Sequence, residues 1–313
     1  MLTKKWMRRS LAMLGALCGN SIFGFSFMFS RMALQAAPPS VLLMYRFVLA
    51  AAVLLLIAVI ASRYGERTAD SGGIPWLRFS LKGKPMLPLV ALGVVQPVIY
   101  FLCESYGIRM TNATFAGVII ALVPIAALAA GALALHEIPK RAQVFWSLVS
   151  IAGVVLMTLQ QSAEGAVRPL GALLLVGAVL SGVTYNVLSR KTSAQYSALE
   201  RTVVMMLVAA AAFTAMALIE CRTDWFVLIA PLHSARFVAA LLYLSVLSSV
   251  VAFLLINYAS STLPVARTAS FCNLTTAISM FAGVVFLGEP FGMVSLAAAV
   301  MIVLGVWQVQ KRV

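Results

Sequence analysis

The chain is a near-continuous series of apolar segments, each about 20 residues long, separated by short polar connections. A helix of that length crosses the hydrocarbon core of a bilayer, where every backbone polar group must be paired within the protein. Hydrophobic residues make up 62% of the 313 residues and charged residues only 10%. This leaves too little polar surface to cover a water-soluble protein of the same size. The sequence therefore predicts an all-α, polytopic membrane protein.

Charges, prolines and loop-type residues divide the chain into ten predicted transmembrane helices, which we number as spans one to ten. They lie near residues 11–33, 40–62, 86–107, 112–135, 142–160, 170–189, 199–219, 237–257, 263–287 and 294–310. The longest connections, near 62–86 and 220–236, are too short to form a soluble domain.

The orientation follows from the positions of lysine and arginine. The formal net charge is +14, and the basic residues lie between spans rather than in one patch, so they indicate topology and not a nucleic-acid partner. With the N-terminus inside, fifteen basic residues lie on the cytoplasmic side and five on the other, while Arg46, Arg201 and Arg267 lie within spans. We expect a protein of the cytoplasmic membrane with both termini in the cytoplasm.

An internal repeat appears when the chain is shifted by 152 residues. The shift places Tyr106 on Tyr258, Glu137 on Glu289 and Gly153 on Gly305, and a small change of register places Arg46 on Arg201. This divides the chain into halves at 1–160 and 161–313, each with five spans. Because five is odd, the second half is expected to enter the membrane in the opposite sense. Inverted repeats are typical of transporters, although a duplication can also be kept for packing alone.

Two long motifs carry a resemblance to a known family. They are TNATFAGVIIALVPIAALAAGALALHEIP, from Thr111 to Pro139, and its repeat partner LPVARTASFCNLTTAISMFAGVVFLGEPF, from Leu263 to Phe291, together with the early arginine of span two, Arg46. With these features the chain resembles the drug/metabolite transporter superfamily, specifically the EamA-type transporters. The resemblance implies two homologous five-helix halves and a carrier of small metabolites, often an exporter of amino acids or related compounds.

The chain departs from that family pattern at two places. Phe23-Gly24 stands where the family often has Trp-Gly, and Thr276 stands where the first copy of the motif has Pro124. Both departures lie in spans and are expected to alter the shape of a cavity rather than the fold.

Span three has the clearest set of candidate functional residues. Gln96, Tyr100 and Glu104 recur every four residues, which predicts one helix face beside a kink at Pro97. A carboxylate within a span is expected to face a partner or a hydrated cavity. Glu104 is therefore a candidate for coupling or for binding an ammonium group, and the alternative is a structural ion pair with Arg46 or Arg109.

Other polar residues at helical spacing are candidates for the wall of a central cavity. They are Asn20, Ser181, Tyr185, Asn257, Tyr258, Asn273 and Thr276. Each of them could instead bond its own backbone or a neighbouring helix. Phe23, Phe27, Phe101 and Phe271 could offer stacking surfaces or simply pack. Glu137 and Glu289, which end their spans, are expected to tie helix ends to neighbouring loops.

The remaining function classes fit the sequence less well. No HExxH, GxSxG or Walker motif is present, and the histidines, His136 and His233, fall in predicted loops. We therefore predict no catalytic residues, no metal and no cofactor. The alternatives to a secondary exporter are an intramembrane enzyme and a non-transporting scaffold. The expected partners are a small-molecule substrate and the lipid bilayer, and a homodimer is an assembly that the sequence leaves open.

Overall fold

The computed structural model describes residues 2–67, 79–123, 125–126, 140–163, 165, 167–263, 271–289 and 291–311. All regular secondary structure in these ranges is helical. Seven helical segments are long and apolar enough to cross a bilayer, and they belong to spans one, two, three, five, six, seven and eight. The apolar helices of spans nine and ten are shorter. These observations confirm the predicted all-α, polytopic membrane fold.

The helix bounds follow the predicted spans. Single helices form span one (Leu2–Leu34), span two (Pro39–Arg67), span five (Arg141–Ala163), span six (Pro169–Thr192), span seven (Ala198–Glu220), span nine (Cys272–Leu287) and span ten (Met293–Lys311). Span four begins with the helix Ala113–Ile120, and residues 124 and 127–139 lie outside the described part.

Spans three and eight are each built from three helical pieces. Span three consists of Leu87–Gly93, a π-helical segment Val94–Ile99 and Tyr100–Met110. Span eight consists of Ala235–Leu242, a π-helical segment Tyr243–Ala252 and Phe253–Thr262. A shift by 152 residues carries the first π-helical segment to 246–251, inside the second. The interruptions therefore occupy corresponding positions of the predicted repeat.

One short helical region was not predicted. Phe226–Ile229 is α-helical and Ala230–His233 is a 3-10 helix, both in the connection between spans seven and eight. They contain only one or two turns, which is too short for a periodic hydrophobic pattern to reveal them.

Most of the helix packing connects the two predicted halves. Span one packs against spans eight and nine, span two against spans seven and eight, and span three against spans six and seven. Span four packs against span nine, and span five against span ten. The apolar core therefore lies between the halves.

Spans five and ten pack antiparallel to each other. The Ser150 hydroxyl donates to the carbonyl of Ile302 at 3.1 Å, and the Ser295 hydroxyl donates to the Gln160 side chain at 2.7 Å. A Cβ atom on Gly305 would lie 2.1 Å from the Ser150 Oγ, so glycine is needed there for the helices to approach. Counterpart spans of the predicted repeat thus run in opposite directions.

Spans four and nine are also antiparallel, and Glu289 joins them at one end. Its carboxylate accepts hydrogen bonds from the backbone N–H groups of Ala113 and Thr114, at 2.8 and 2.7 Å. The Asn112 side chain accepts the next one, from Phe115 N, at 2.7 Å. Three N–H groups without partners at the start of the helix are thereby satisfied. Glu289 ties down the start of a helix rather than the loop that we expected, and Glu137 lies outside the described residues.

Candidate functional site

A cavity of about 90 Å³ lies among spans one, three, four, six, eight and nine. Spans of both predicted halves form its wall, which is largely apolar and aromatic with a few polar groups. This is the usual character of a small-molecule site.

Span one contributes two of the aromatic side chains of the wall. Asn20, Phe23 and Phe27 all line the cavity, as expected for residues at spacings of three and four on one helix face. Phe23 packs edge-on against Phe253 of span eight, with ring centroids 5.3 Å apart. The side chains that the wall presents are therefore held by contacts across the halves.

The interruption of span three brings Gln96 to the cavity. Gln96 has an extended backbone, with φ −142° and ψ 118°, and the next residue is Pro97, which has no N–H to donate. The Ser181 hydroxyl of span six donates to the Val95 carbonyl at 2.6 Å and so satisfies one group at the break. Non-helical backbone at membrane depth is tolerated where it is buried or lines a cavity. Ser181, a predicted cavity residue, thus supports the break and does not line the cavity itself.

Tyr100 and Glu104 follow the break and line the same cavity as Gln96. The expectation that these three side chains lie together therefore agrees with the structure, but one continuous helix face is not the reason. Glu104 is 3% exposed and interacts with the Tyr100 side chain and with the charge of Arg46. Its Oε2 atom has no hydrogen-bond partner, and neither has Oε1 of Gln96.

Arg46 is 1% exposed and lies behind the wall. Its Nε and Nη2 groups donate to the hydroxyls of Ser249 and Ser248, each at 2.9 Å, in the π-helical segment of span eight. Its guanidinium carbon lies 4.2 Å from the centroid of the Phe101 ring, which lines the cavity. Arg46 forms no direct ion pair with Glu104, although its charge acts on that carboxylate. The guanidinium of Arg46 instead contacts the two serine hydroxyls and the Phe101 ring.

Asn257 and Arg201 form a buried network behind Tyr185. Tyr185 lines the cavity, and its hydroxyl donates to Asn257 Oδ1 at 3.1 Å. The Asn257 amide donates to the Thr202 hydroxyl at 3.0 Å, and Arg201 Nη2 donates to the Asn257 carbonyl at 2.7 Å. Asn257 is fully buried and does not reach the cavity.

The other predicted residues of spans eight and nine contribute to packing. Tyr258 is 9% exposed and packs with Ala12, Ala16 and Leu263. The Thr276 hydroxyl donates to the Gly117 carbonyl of span four at 2.9 Å. The side chain of Asn273 lies outside the described part of the chain.

Three polar residues of the wall were not selected from the sequence, namely Ser26, Asn186 and Thr275. The Thr275 hydroxyl donates to the Asn20 carbonyl at 3.0 Å, and so joins spans nine and one. Thr275 and Thr276 are adjacent residues of the same type, so the sequence does not show which of them faces the cavity. The rotation of span nine about its axis decides this. Ser26 lies next to Phe27 and three residues after Phe23, and that spacing was the available signal.

A second cluster lies at the starts of spans three and seven. Lys84 Nζ forms an ion pair with Glu200 at 2.8 Å, and the backbone N–H of Ser80 donates to the same carboxylate at 2.8 Å. Glu200 also completes a capping box with Ser197 at the start of span seven. No local sequence pattern reveals this contact, because its partners are 116 residues apart.

Among the described residues, no group of three or more histidine, cysteine, aspartate or glutamate side chains is arranged to hold a metal ion. The wall of the cavity likewise contains no lysine, arginine or histidine among these residues. Glu104 is the one carboxylic acid among the described residues of the wall, so it is the group there that can present a negative charge.

Comparisons with known proteins agree with this architecture. The profile of the EamA-like transporter family matches residues 10–159 and 169–309. The chain is 30% identical over 298 residues to the uncharacterized transporter YcxC of Bacillus subtilis strain 168, which covers 94% of this chain and 91% of that protein. It also aligns with a chain of known crystal structure at a TM-score of 0.65 and 17% identity, over 96% of both chains, and that similarity shows a shared fold.

Proposed function

Since the chain belongs to the EamA-like transporter family, we propose that it is a secondary transporter that exports small amino-acid-like or amphipathic metabolites by alternating access. The transported solute binds in the cavity of spans one, three, four, six, eight and nine. No cofactor takes part, and the energy comes from solute or ion gradients.

The observation that carries this proposal is the position of the cavity beside a broken helix, between two corresponding halves. Span three is interrupted at Val94–Ile99 and span eight at Tyr243–Ala252, at matching positions of the repeat. Interrupted helices at corresponding positions of two halves are a feature of transporter binding sites near the middle of the bilayer.

The antiparallel pairs support an inverted arrangement of the halves. Spans four and nine are counterparts, as are spans five and ten, and the members of each pair run in opposite directions. Two related halves mounted in opposite senses can exchange inward-facing and outward-facing shapes. Alternating access is therefore the mechanism that we propose for the transport cycle.

The excess of basic residues supports an orientation with both termini in the cytoplasm. In this orientation the Lys84–Glu200 pair lies at the cytoplasmic surface, and the Glu289 contact with the start of span four lies at the opposite surface. Contacts between the halves then exist at both faces, as a carrier that opens them alternately requires.

Reconstitution in liposomes tests the proposal. The purified protein is screened for uptake and counterflow of labelled amino acids, amines and sugars. Gly182→Leu is expected to abolish transport, because Gly182 lines the cavity and a larger side chain fills it. Gly292→Leu is the matched control, since no atom of the described residues lies within 4 Å of a Cβ added there. A lack of transport for all three solute classes, or full activity of Gly182→Leu, would overturn the proposal.

A further inference from the structure

Two buried acceptor atoms in the cavity wall have no hydrogen bond. They are Oε2 of Glu104, a residue that is 3% exposed, and Oε1 of Gln96, a residue that is 8% exposed. Leaving a buried acceptor unpaired is unfavourable, more so for a charged group, and such atoms call for a specific explanation. A bound group that donates hydrogen bonds would satisfy both.

Most donors of the wall are already engaged with the protein. The hydroxyls of Ser26, Tyr185 and Thr275 and the amide of Asn20 all donate to neighbouring protein atoms, at distances from 2.7 to 3.1 Å. The amides of Gln96 and Asn186 also line the cavity, so neutral donors remain for a solute. The described residues of the wall supply no cationic donor, so a carboxylate or a phosphate finds no charge there to balance its own.

The charges in and around the cavity point the same way. No lysine, arginine or histidine lines it among the described residues. The charge of Arg46 acts on Glu104, but its Nε and Nη2 donate to two serine hydroxyls, and its guanidinium carbon lies 4.2 Å from the centroid of the Phe101 ring, which lines the cavity. Among the residues that the structure describes, no cation is in direct contact with the Glu104 carboxylate.

The rest of the wall suits an apolar body next to a positive charge. Phe23, Phe27, Phe101 and the ring of Tyr100 provide aromatic surface around the polar end. Aromatic faces attract cations as well as hydrocarbon groups. The small volume of about 90 Å³ favours a compact molecule.

We infer that the solute is a small protonated primary amine without an acidic group, whose ammonium donates hydrogen bonds to Glu104 and Gln96 while its hydrocarbon part lies against Phe23 and Phe27. This inference rests on the proposed transport function and narrows its substrate class. A free amino acid has the same ammonium, but its carboxylate has no cationic partner in the wall.

Matched solute pairs test the inference on the purified wild-type protein. Binding of leucine, 3-methylbutylamine and 3-methylbutanol is compared by isothermal titration, and phenylalanine is compared with 2-phenylethylamine. The amines are expected to bind at least about tenfold more tightly than both the amino acids and the alcohol, because only they combine a charge-assisted hydrogen bond with an uncharged remainder. Equal or tighter binding of the amino acids would overturn the inference.

Glu104→Gln tests the residue that we place at the ammonium. It keeps the shape of the side chain and removes its charge, so amine affinity is expected to fall by about tenfold to a hundredfold. Glu220→Gln is the matched control, because Glu220 is exposed and is the last residue of the span-seven helix. Retained amine affinity in Glu104→Gln would overturn the inference. If that variant does not fold, the inference is decided by amine binding to Glu104→Asp and by the solute pairs on the wild-type protein.

Liposome transport separates the two proposals. Amine binding without transport of any solute would end the transport function and leave the amine site standing. Transport of amino acids or sugars with no effect of the amines would end the amine inference and leave the transport function standing.

Discussion

Arg46 and Arg201 are counterparts in the repeat, and both are almost completely buried, at 1% and 0% exposure. Arg201 donates to the Ser189 carbonyl and hydroxyl and to the Asn257 carbonyl at 2.7 to 2.8 Å, and so ties spans six, seven and eight together. Arg46 donates to two hydroxyls and lies over an aromatic ring. The same residue type therefore fixes the scaffold in one half and lies beside the cavity wall in the other.

The difference shows how a duplicated helix can take on two tasks. Arg201 bonds mainly to backbone carbonyls, whose positions are fixed by the helices themselves. The partners of Arg46 are serine side chains, which can rotate and find other acceptors. We therefore expect substitutions of the two arginines to differ in stability, and only Arg46 to influence the cavity.

The largest effect on stability is expected from Arg201→Met. It removes three short hydrogen bonds of a charged donor inside the bundle, and we expect a loss of about 4 kcal/mol. The measurement is the thermal unfolding midpoint in detergent. Arg236→Met, at an exposed arginine in span eight, should change stability by less than about 0.5 kcal/mol. A loss for Arg201→Met no larger than for this control would contradict the role of Arg201 in the scaffold.

Removing both hydroxyl partners of Arg46 is expected to have the next largest effect. The double variant Ser248→Ala and Ser249→Ala leaves a buried guanidinium without its hydrogen-bond acceptors, for which we expect a loss of about 3 kcal/mol. Adding Arg46→Met should recover part of that loss, because it removes the uncompensated charge. The thermal midpoints of the double and triple variants decide this, and a triple variant less stable than the double would refute it.

Arg46→Met alone is expected to destabilise the protein by about 1 to 2 kcal/mol. Methionine fills much of the volume, and the two serines can bond backbone carbonyls one turn back. Since the variant removes a positive charge near Glu104, amine affinity should rise by about threefold. Titration calorimetry against wild type measures this. Unchanged affinity would show that Arg46 does not influence the cavity.

Tyr185→Phe gives the smallest expected change. It removes the single hydrogen bond between the cavity wall and Asn257, at a cost of about 1 kcal/mol. Thermal unfolding in detergent provides the value, with Tyr243→Phe as a comparison, because the Tyr243 hydroxyl also makes one bond to span one. A loss of stability as large as that of Arg201→Met would mean that the contacts of Tyr185 and Arg201 with Asn257 do not contribute separately.

Much of the fold could be predicted because lipid imposes a simple rule on the sequence. The ten apolar runs mark the helices, and the four-residue spacing of Tyr100 and Glu104 places both at the cavity. The break at Gln96 was expected only as a kink at Pro97. At this break the Val95 carbonyl is bonded by the Ser181 hydroxyl of another helix, a contact that no local pattern reveals.

The parts of the site that could not be predicted depend on contacts between distant residues. Asn257 and Thr276 are polar residues within spans, as Asn20 is, yet they bond neighbouring helices instead of facing the cavity. Which side of a helix faces the cavity is decided by how its neighbours pack, since every face of these spans is apolar enough to be buried. Arg46 was expected near Glu104, but the serines that hold it are 202 and 203 residues away.

The carboxylate of Glu289 has a consequence for biosynthesis. The backbone N–H of Ala113, which it binds, leaves the ribosome 176 residues earlier. The first turn of span four must therefore enter the membrane before its acceptor has been translated, and water or lipid headgroups occupy those N–H groups until then. The first turn of the fourth helix is completed only after Glu289 of the second half has been translated, so the first half does not reach its final form on its own.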